Sequence, residues 1–273
     1  MQRRTALSVL LLTALPLTAG STAVPARADD LSAADVMQKA EQARRVRDLT
    51  AEASLTTEAD GRTKVKTFTL WTALSDDGVH YRTLARFHTP AVIRNEGVLI
   101  LEGAAGNDVH LYLPRYKKVR RVESSSQSSS FMGSVFSYSD IAVQHAAEWD
   151  HVRERTEPCP GADGTCHVIA STPKTPAIRS RTGYGKTVQW VREGTWVVMR
   201  GAYYGPDGTL SKVTTASEVV KVASGPDRWL ALSMRIEDTK TRRFTVLRLR
   251  NVQVDKGIAD SVFTQQNLAR EHR

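Results

Sequence analysis

The stretch DVHLYLPRYKKVRRVESSSQSSSFMGSVFSYSD, Asp108 to Asp140, decides the fold. Val109, Leu111 and Leu113 alternate with His110 and Tyr112, which is the period of a half-buried strand. Pro114 turns the chain into a second strand, where Lys117, Lys118, Arg120 and Arg121 interleave with Val119 and Val122. Alternation puts Lys118 and Arg120 on one face, Lys117 and Arg121 on the other. A strand charged on both faces is expected at an edge or rim, where both reach water. The serine run 124–130 reads as a flexible loop. Beyond it Phe131, Met132, Phe136 and Tyr138 cluster around Gly133 as a small core or a gate over an apolar cavity. Nothing here supplies a nucleophile–base pair or a set of metal ligands, so binding is favoured over catalysis.

Upstream, LSAADVMQKAEQARRVRDL (31–49) reads as one helix, N-capped by Ser32 with Asp35 three residues on. Val36, Ala40 and Ala43 give it an apolar stripe. From Thr50 the period changes from 3.6 to 2. A hairpin turns at Ala59-Asp60-Gly61, with Phe68, Leu70 and Leu74 on one face of its second arm and Trp71 and Ala73 on the other. YRTLARFHTP places Tyr81, Ala85 and Phe87 opposite Arg82, Arg86 and His88, as in a half-buried strand with a solvated basic face. GVLILEG is apolar on both faces, like a central strand.

Downstream, YSDIAVQHAAEW contains a short helix, and strands then return at regular spacing between Gly- and Asp-rich turns. The closing IADSVFTQQNL packs Val262, Phe263 and Leu268 against an edge or end of the sheet. About eleven to thirteen strands without intervening helices argue for a mainly β, antiparallel sheet. So many strands curl into a barrel or half-barrel. The concave face is larger than one amphipathic helix can cover, and its surplus apolar positions make a cavity for a lipophilic ligand. Phe68, Leu70, Leu99, Leu101, Leu111, Trp190 and Met199 are the lining candidates.

Residues 1–28 have the form of a signal peptide: Arg3 and Arg4, an apolar centre from Ala6 to Leu17, and Ala26-Arg27-Ala28 as the cleavage site. Export with cleavage near Ala28 leaves a single domain, 29–273, and takes the formal charge from +9 to +6 by removing Arg3, Arg4 and Arg27. For an exported basic protein the expected partners are anionic membrane surfaces or acidic proteins, not nucleic acid. Cys159 and Cys166 bracket a turn-like PGADGT, and outside the cytosol they are expected to form a disulfide. Two thiols and the adjacent His167 make a poor tetrahedral metal set. No G-x-S-x-G, H-E-x-x-H or phosphate loop occurs, so neither an enzyme nor a cofactor is expected, and a hydrolase is disfavoured.

The segment LYLPRYKKVRRVESSSQSSSFMGSVFSYSD resembles the signature of the periplasmic outer-membrane lipoprotein-sorting family, in its LolA-like branch. YRTLARFHTP, GVLILEG and VFTQQNLAR extend the likeness; Val135 and Ser139 depart from it, standing where Asp and Glu are usual. The resemblance implies a strongly curved antiparallel β half-barrel whose concave face is covered by the N-terminal helix, as a movable lid, and a loop helix. It further implies a periplasmic carrier of lipid or lipoprotein acyl chains between inner and outer membrane. Its partners would be an inner-membrane exporter of the resistance–nodulation–division type, or a lipoprotein-release complex, and an outer-membrane acceptor. Lys117, Lys118, Arg120 and Arg121 are then the docking candidates. The alternative is an envelope interaction or stress-regulatory module on the same fold.

Overall fold

The computed structural model describes residues 31–223 and 228–270. The expected signal peptide, 1–28, lies outside them. Helix α1 (Ala33–Ala43) starts where the capping box requires: Ser32 Oγ accepts from Asp35 N at 3.1 Å, and the Asp35 carboxylate accepts from Ser32 N at 3.0 Å. It ends six residues before Leu49, the end expected from its periodicity. Asp48 instead opens a strand, with its carboxylate held by the backbone N–H groups of Lys256 and Gly257. Val46 and Leu49 thereby pack into a cluster with Val252 and Val254.

Thirteen strands of the described residues form one sheet. They are β1 (Asp48–Ala59), β2 (Arg62–Leu74), β3 (Tyr81–Thr89), β4 (Gly97–Leu101), β5 (Asp108–Leu113) and β6 (Lys118–Val122), then β7 (Trp149–Pro158), β8 (Thr165–Pro173), β9 (Lys186–Arg192), β10 (Val198–Tyr204), β11 (Leu210–Ala223), β12 (Arg228–Asp238) and β13 (Phe244–Val254). Their spatial order is β6-β5-β4-β3-β2-β1-β13-β12-β11-β10-β9-β8-β7, antiparallel throughout. Consecutive strands are neighbours except β6 and β7, and the β1–β13 pairing is the seam that brings the two ends of the described chain together. The sheet curves but stays open, so β6 and β7 are its two edges. Such a count exceeds the ~10 strands that an open sheet carries without curling. The β1–β2 turn is Asp60-Gly61, with φ of 50° and 69°, the left-handed pair that a two-residue hairpin needs.

On one face of β1–β5, Leu55, Phe68, Phe87, Val98 and Ile100 pack beneath Phe131, Phe136 and Tyr138 of the long β6–β7 connection. That connection carries α2 (Tyr138–Ile141), again started by a capping box, here between Ser137 and Asp140. On the other face Leu84, Leu99 and Tyr112 pack beneath Phe263 and Leu268, the latter ending helix α3 (Gln265–Leu268). The C-terminal segment therefore covers a face of the sheet rather than an edge. This corrects the expected solvated basic face of β3 at Arg86, while His88 stays exposed. Arg86 is only 2% exposed, and its guanidinium donates to the carbonyls of Asn95, Asn267 and Leu268. A cation at the end of a short helix satisfies its free carbonyls, and period 2 alone could not show that the segment would fold there.

Candidate functional site

Over the second half of the concave face, α1 lays Val36 and Met37 against Ile169 of β8 and Val191 of β9. Farther along the helix the contact residues are Ala40 and Ala43, and there a cavity of about 240 Å³ opens between helix and sheet. Met37, Trp149, Trp229, Leu230, Met234 and Ile236 give it apolar walls, with Phe136 and Ala142 of the β6–β7 connection at its side. Ser171, Thr187, Gln189, Tyr203 and Thr214 line the sheet side, so the wall is amphipathic.

Two polar clusters bound this space. Asp140 pairs with Lys212 Nζ at 2.9 Å and accepts from Tyr184 Oη at 2.7 Å and from Ser137 N at 2.8 Å. Burial first, and Asp140 second, push the Tyr184 phenol well above its ordinary range and raise that of Tyr203, so both remain neutral donors. At the other cluster His145 Nδ1 lies 2.9 Å from the Glu41 carboxylate on α1, and Nε2 lies 3.4 Å from Glu102, just beyond β4. The pull of the Glu102 carboxylate, then of the hydrogen-bonded Glu41, outweighs burial and raises His145 to about 9. Burial works against ionisation of Glu41, yet hydrogen bonds from His145 and the Ala146 N–H hold its carboxyl below the usual range. Glu102 also accepts from the N–H groups of Tyr81 and Val143, and Arg44 Nη2 donates to the Gln144 carbonyl at 3.0 Å. At neutral pH an imidazolium between two carboxylates thus fastens the C-terminal half of α1 to the sheet and to the β6–β7 connection.

The seven lining candidates fall elsewhere. Phe68, Leu70 and Leu111 face the concave side but lie under the β6–β7 connection, in its packed cluster. Leu99 and Leu101 face the C-terminal segment. Met199 and Trp190 pack with the Cys159–Cys166 disulfide and Val197. Of the four aromatic-cluster residues, Phe131 and Tyr138 are buried, Met132 packs at the margin of their cluster, and Phe136 reaches the cavity. Lys117, Lys118, Arg120 and Arg121 are all exposed, the last three on the edge strand β6. Arg121 meets Asp108 at 2.7 Å, and Arg120 stacks over Tyr116 at 5.8 Å.

Met37, Trp149, Met234 and the Glu41–His145–Glu102 cluster were not legible as a site. The helical stripe signalled Ala40 and Ala43, but the inward face of β11 and β12 depends on backbone irregularities, a positive φ of 56° at Glu218 and a register shift between Lys221 and Ala223. Bulged strands exchange faces part-way along, and period-2 reading misses the exchange.

Comparisons with known proteins agree with this fold. A family model described as an uncharacterized protein matches residues 80–270. A DUF1329 family protein from Desulfovibrio piger superposes with a TM-score of 0.80 at 27% identity, covering 86% of this chain and 97% of its own. A domain named for outer membrane lipoprotein sorting, from Vibrio parahaemolyticus, gives 0.78 at 21% identity, with coverage of 87% and 98%. A LolA superfamily protein from Nitrosomonas europaea gives 0.68 at 18% identity, with coverage of 87% and 99%. No functionally curated protein matches in sequence.

Proposed function

We propose that this chain, which belongs to the family matched over residues 80–270 and to the LolA-like group of outer-membrane lipoprotein-sorting proteins, is an exported carrier. It holds an acyl chain of a lipid or lipoprotein between α1 and the concave face of β8–β12. The observation that supports the reading most directly is the cavity itself, apolar under the helix and bounded by polar clusters at its sides. Each methylene taken from water into such a site contributes ~0.8 kcal/mol, so a short run of acyl carbons binds usefully without a covalent step. At about 240 Å³ the cavity is smaller than the ~300–1,000 Å³ of ordinary ligand pockets, so loading a long chain requires α1 or the β6–β7 connection to move outward. Phe131, Met132, Phe136 and Tyr138 then act as the gate, and the Glu41–His145–Glu102 cluster as the fastening to be released. The basic edge strand is the docking surface. Its partners are an inner-membrane exporter of the resistance–nodulation–division type or a release complex on one side, and an outer-membrane acceptor on the other. Transfer runs between the two membranes, and the reading includes no catalytic step.

Uptake of a fluorescent fatty-acid probe, together with mass spectrometry of lipids extracted from the purified protein, tests this. Ala216→Trp, which fills the cavity from β11, is expected to abolish most of the uptake while the protein still melts cooperatively. A wild-type protein that takes up no probe and yields no lipid overturns the reading, as does undiminished uptake by the filled variant.

A further inference from the structure

Because neighbouring strands are antiparallel, the β1–β2, β3–β4 and β5–β6 turns emerge at one end of six adjacent strands. Successive turns there stand two strands apart, about 10 Å. Each presents one large apolar or aromatic side chain to water: Val65 beside the first, 49% exposed, Val92 on the second, 85%, and Tyr116 on the third, 55%. Each is flanked by exposed cations: Arg62 and Lys64 at the first turn, Arg94 at the second, Arg115 and Lys117 at the third. Arg115 also lies over the Tyr116 ring, 5.9 Å from its centroid. Asp60 is the exposed acid of these three turns among the described residues. At the opposite end of the same strands the β2–β3 turn exposes Asp76 and Asp77, and the chain leaving β6 exposes Glu123, with Arg47 leading into β1. The two ends thus differ in sign.

A lone exposed apolar side chain is ordinary on a protein surface. Three on successive turns, each set among cations and each leaving about half or more of its side chain in water, are not explained by core packing. We infer that this three-turn end is a docking surface for an anionic lipid bilayer, with Val92 and Tyr116 entering the head-group layer and Arg62, Lys64, Arg94, Arg115 and Lys117 resting on the phosphates. A bilayer suits the pattern because a flat charged surface meets all three turns at once. Cations near it contribute through the surface potential, and apolar tips gain by leaving water. The inference builds on the docking half of the proposed function and stands apart from the cavity. The charges it uses lie mostly on the turns rather than on β6 itself.

Sedimentation of the full chain with vesicles of phosphatidylglycerol in phosphatidylcholine, compared with phosphatidylcholine alone, tests it. Binding is expected only to the anionic vesicles and is expected to fall as salt rises. Arg94→Glu with Lys117→Glu should weaken partitioning roughly twentyfold or more, at about fivefold per removed cation. Val92→Ser should weaken it roughly fivefold, the loss expected when one or two methylenes stay in water. Lys221→Glu with Lys256→Glu removes as many cations at the other end of the sheet and should leave binding within about twofold of wild type if the end, not net charge, matters. All these positions are exposed, so melting curves should hold. Equal binding to neutral vesicles, equal loss in both double variants, or binding to an acidic protein but to no vesicle overturns the inference. Fatty-acid uptake is read separately: a protein that loads the probe but ignores vesicles rejects the docking surface alone, and one that binds vesicles but loads no probe rejects the carrier alone.

Discussion

The concave face has two halves built from the same period-2 strands, yet one is packed solid and the other holds a cavity. Over β1–β5 the cover is a loop whose aromatic rings reach down to the sheet, Phe131 lying 6.1 Å from Phe87 and 5.6 Å from Tyr138, centroid to centroid. Over β8–β12 the cover is a helix that presents Ala40 and Ala43 to the same side. Curvature and strand pattern are shared, so the size of the side chains on the cover decides whether the space beneath is filled. The packed half supplies rigidity, and the half under α1 supplies room.

The largest effect that should separate the halves is Phe131→Ala. It leaves a void under a side chain that is 1% exposed and is expected to destabilise by ~3–5 kcal/mol in urea unfolding. If the cost is below about 1 kcal/mol, the first half is not the packed core described and the contrast fails. Next is Lys212→Ala, which strands Asp140 beside the cavity. Because Lys212 keeps 16% of its side-chain exposure, about 2–3 kcal/mol is expected, below the ~3–5 kcal/mol of a fully buried pair. Here the companion measurement is fatty-acid uptake, which should change more than it does in Phe131→Ala.

The fastening of α1 should be weakened by alkali. His145 has a folded value of about 9 against ~6.5 when unfolded, so its stabilisation is complete below pH ~6.5 and is lost as pH rises through about 9. The groups facing it are Glu41 on α1, Glu102 beyond β4 and the His80 ring, 5.7 Å away edge-on. A loss on the order of 2 kcal/mol is expected across that window, and faster hydrogen exchange in α1 than in β1–β5 should accompany it. His145→Gln should flatten the dependence; an unchanged slope in that variant would assign the effect to another group. The smallest effect belongs to Arg120→Glu with Arg121→Glu. Both are exposed on the edge strand, and losing the Arg121–Asp108 pair should cost no more than ~1 kcal/mol in thermal melting. An unfolded double variant would show that the edge strand belongs to the first half's core, erasing the distinction between core and rim.

Much of the fold was legible from local chemistry. The Ser32 and Asp35 pair marked the start of α1, Asp60-Gly61 marked a hairpin, and charge on both faces of KKVRRV marked an edge strand; each appears where expected. Cys159 and Cys166, seven residues apart, form the disulfide that their spacing allowed. These features depend on neighbours within a few residues, and the sequence by itself determined them. What lies over each face came only with the tertiary structure. Alternation shows which side chains share a face of a strand but not what covers it. Arg86 is buried by carbonyls 181 and 182 residues away, and His145 meets a carboxylate 104 residues away. Leu99 and Leu111 both read as apolar strand positions; the C-terminal segment claimed one and the aromatic loop the other. The cavity was left to the strands beneath α1, because that helix brings alanine where the loop brings phenylalanine.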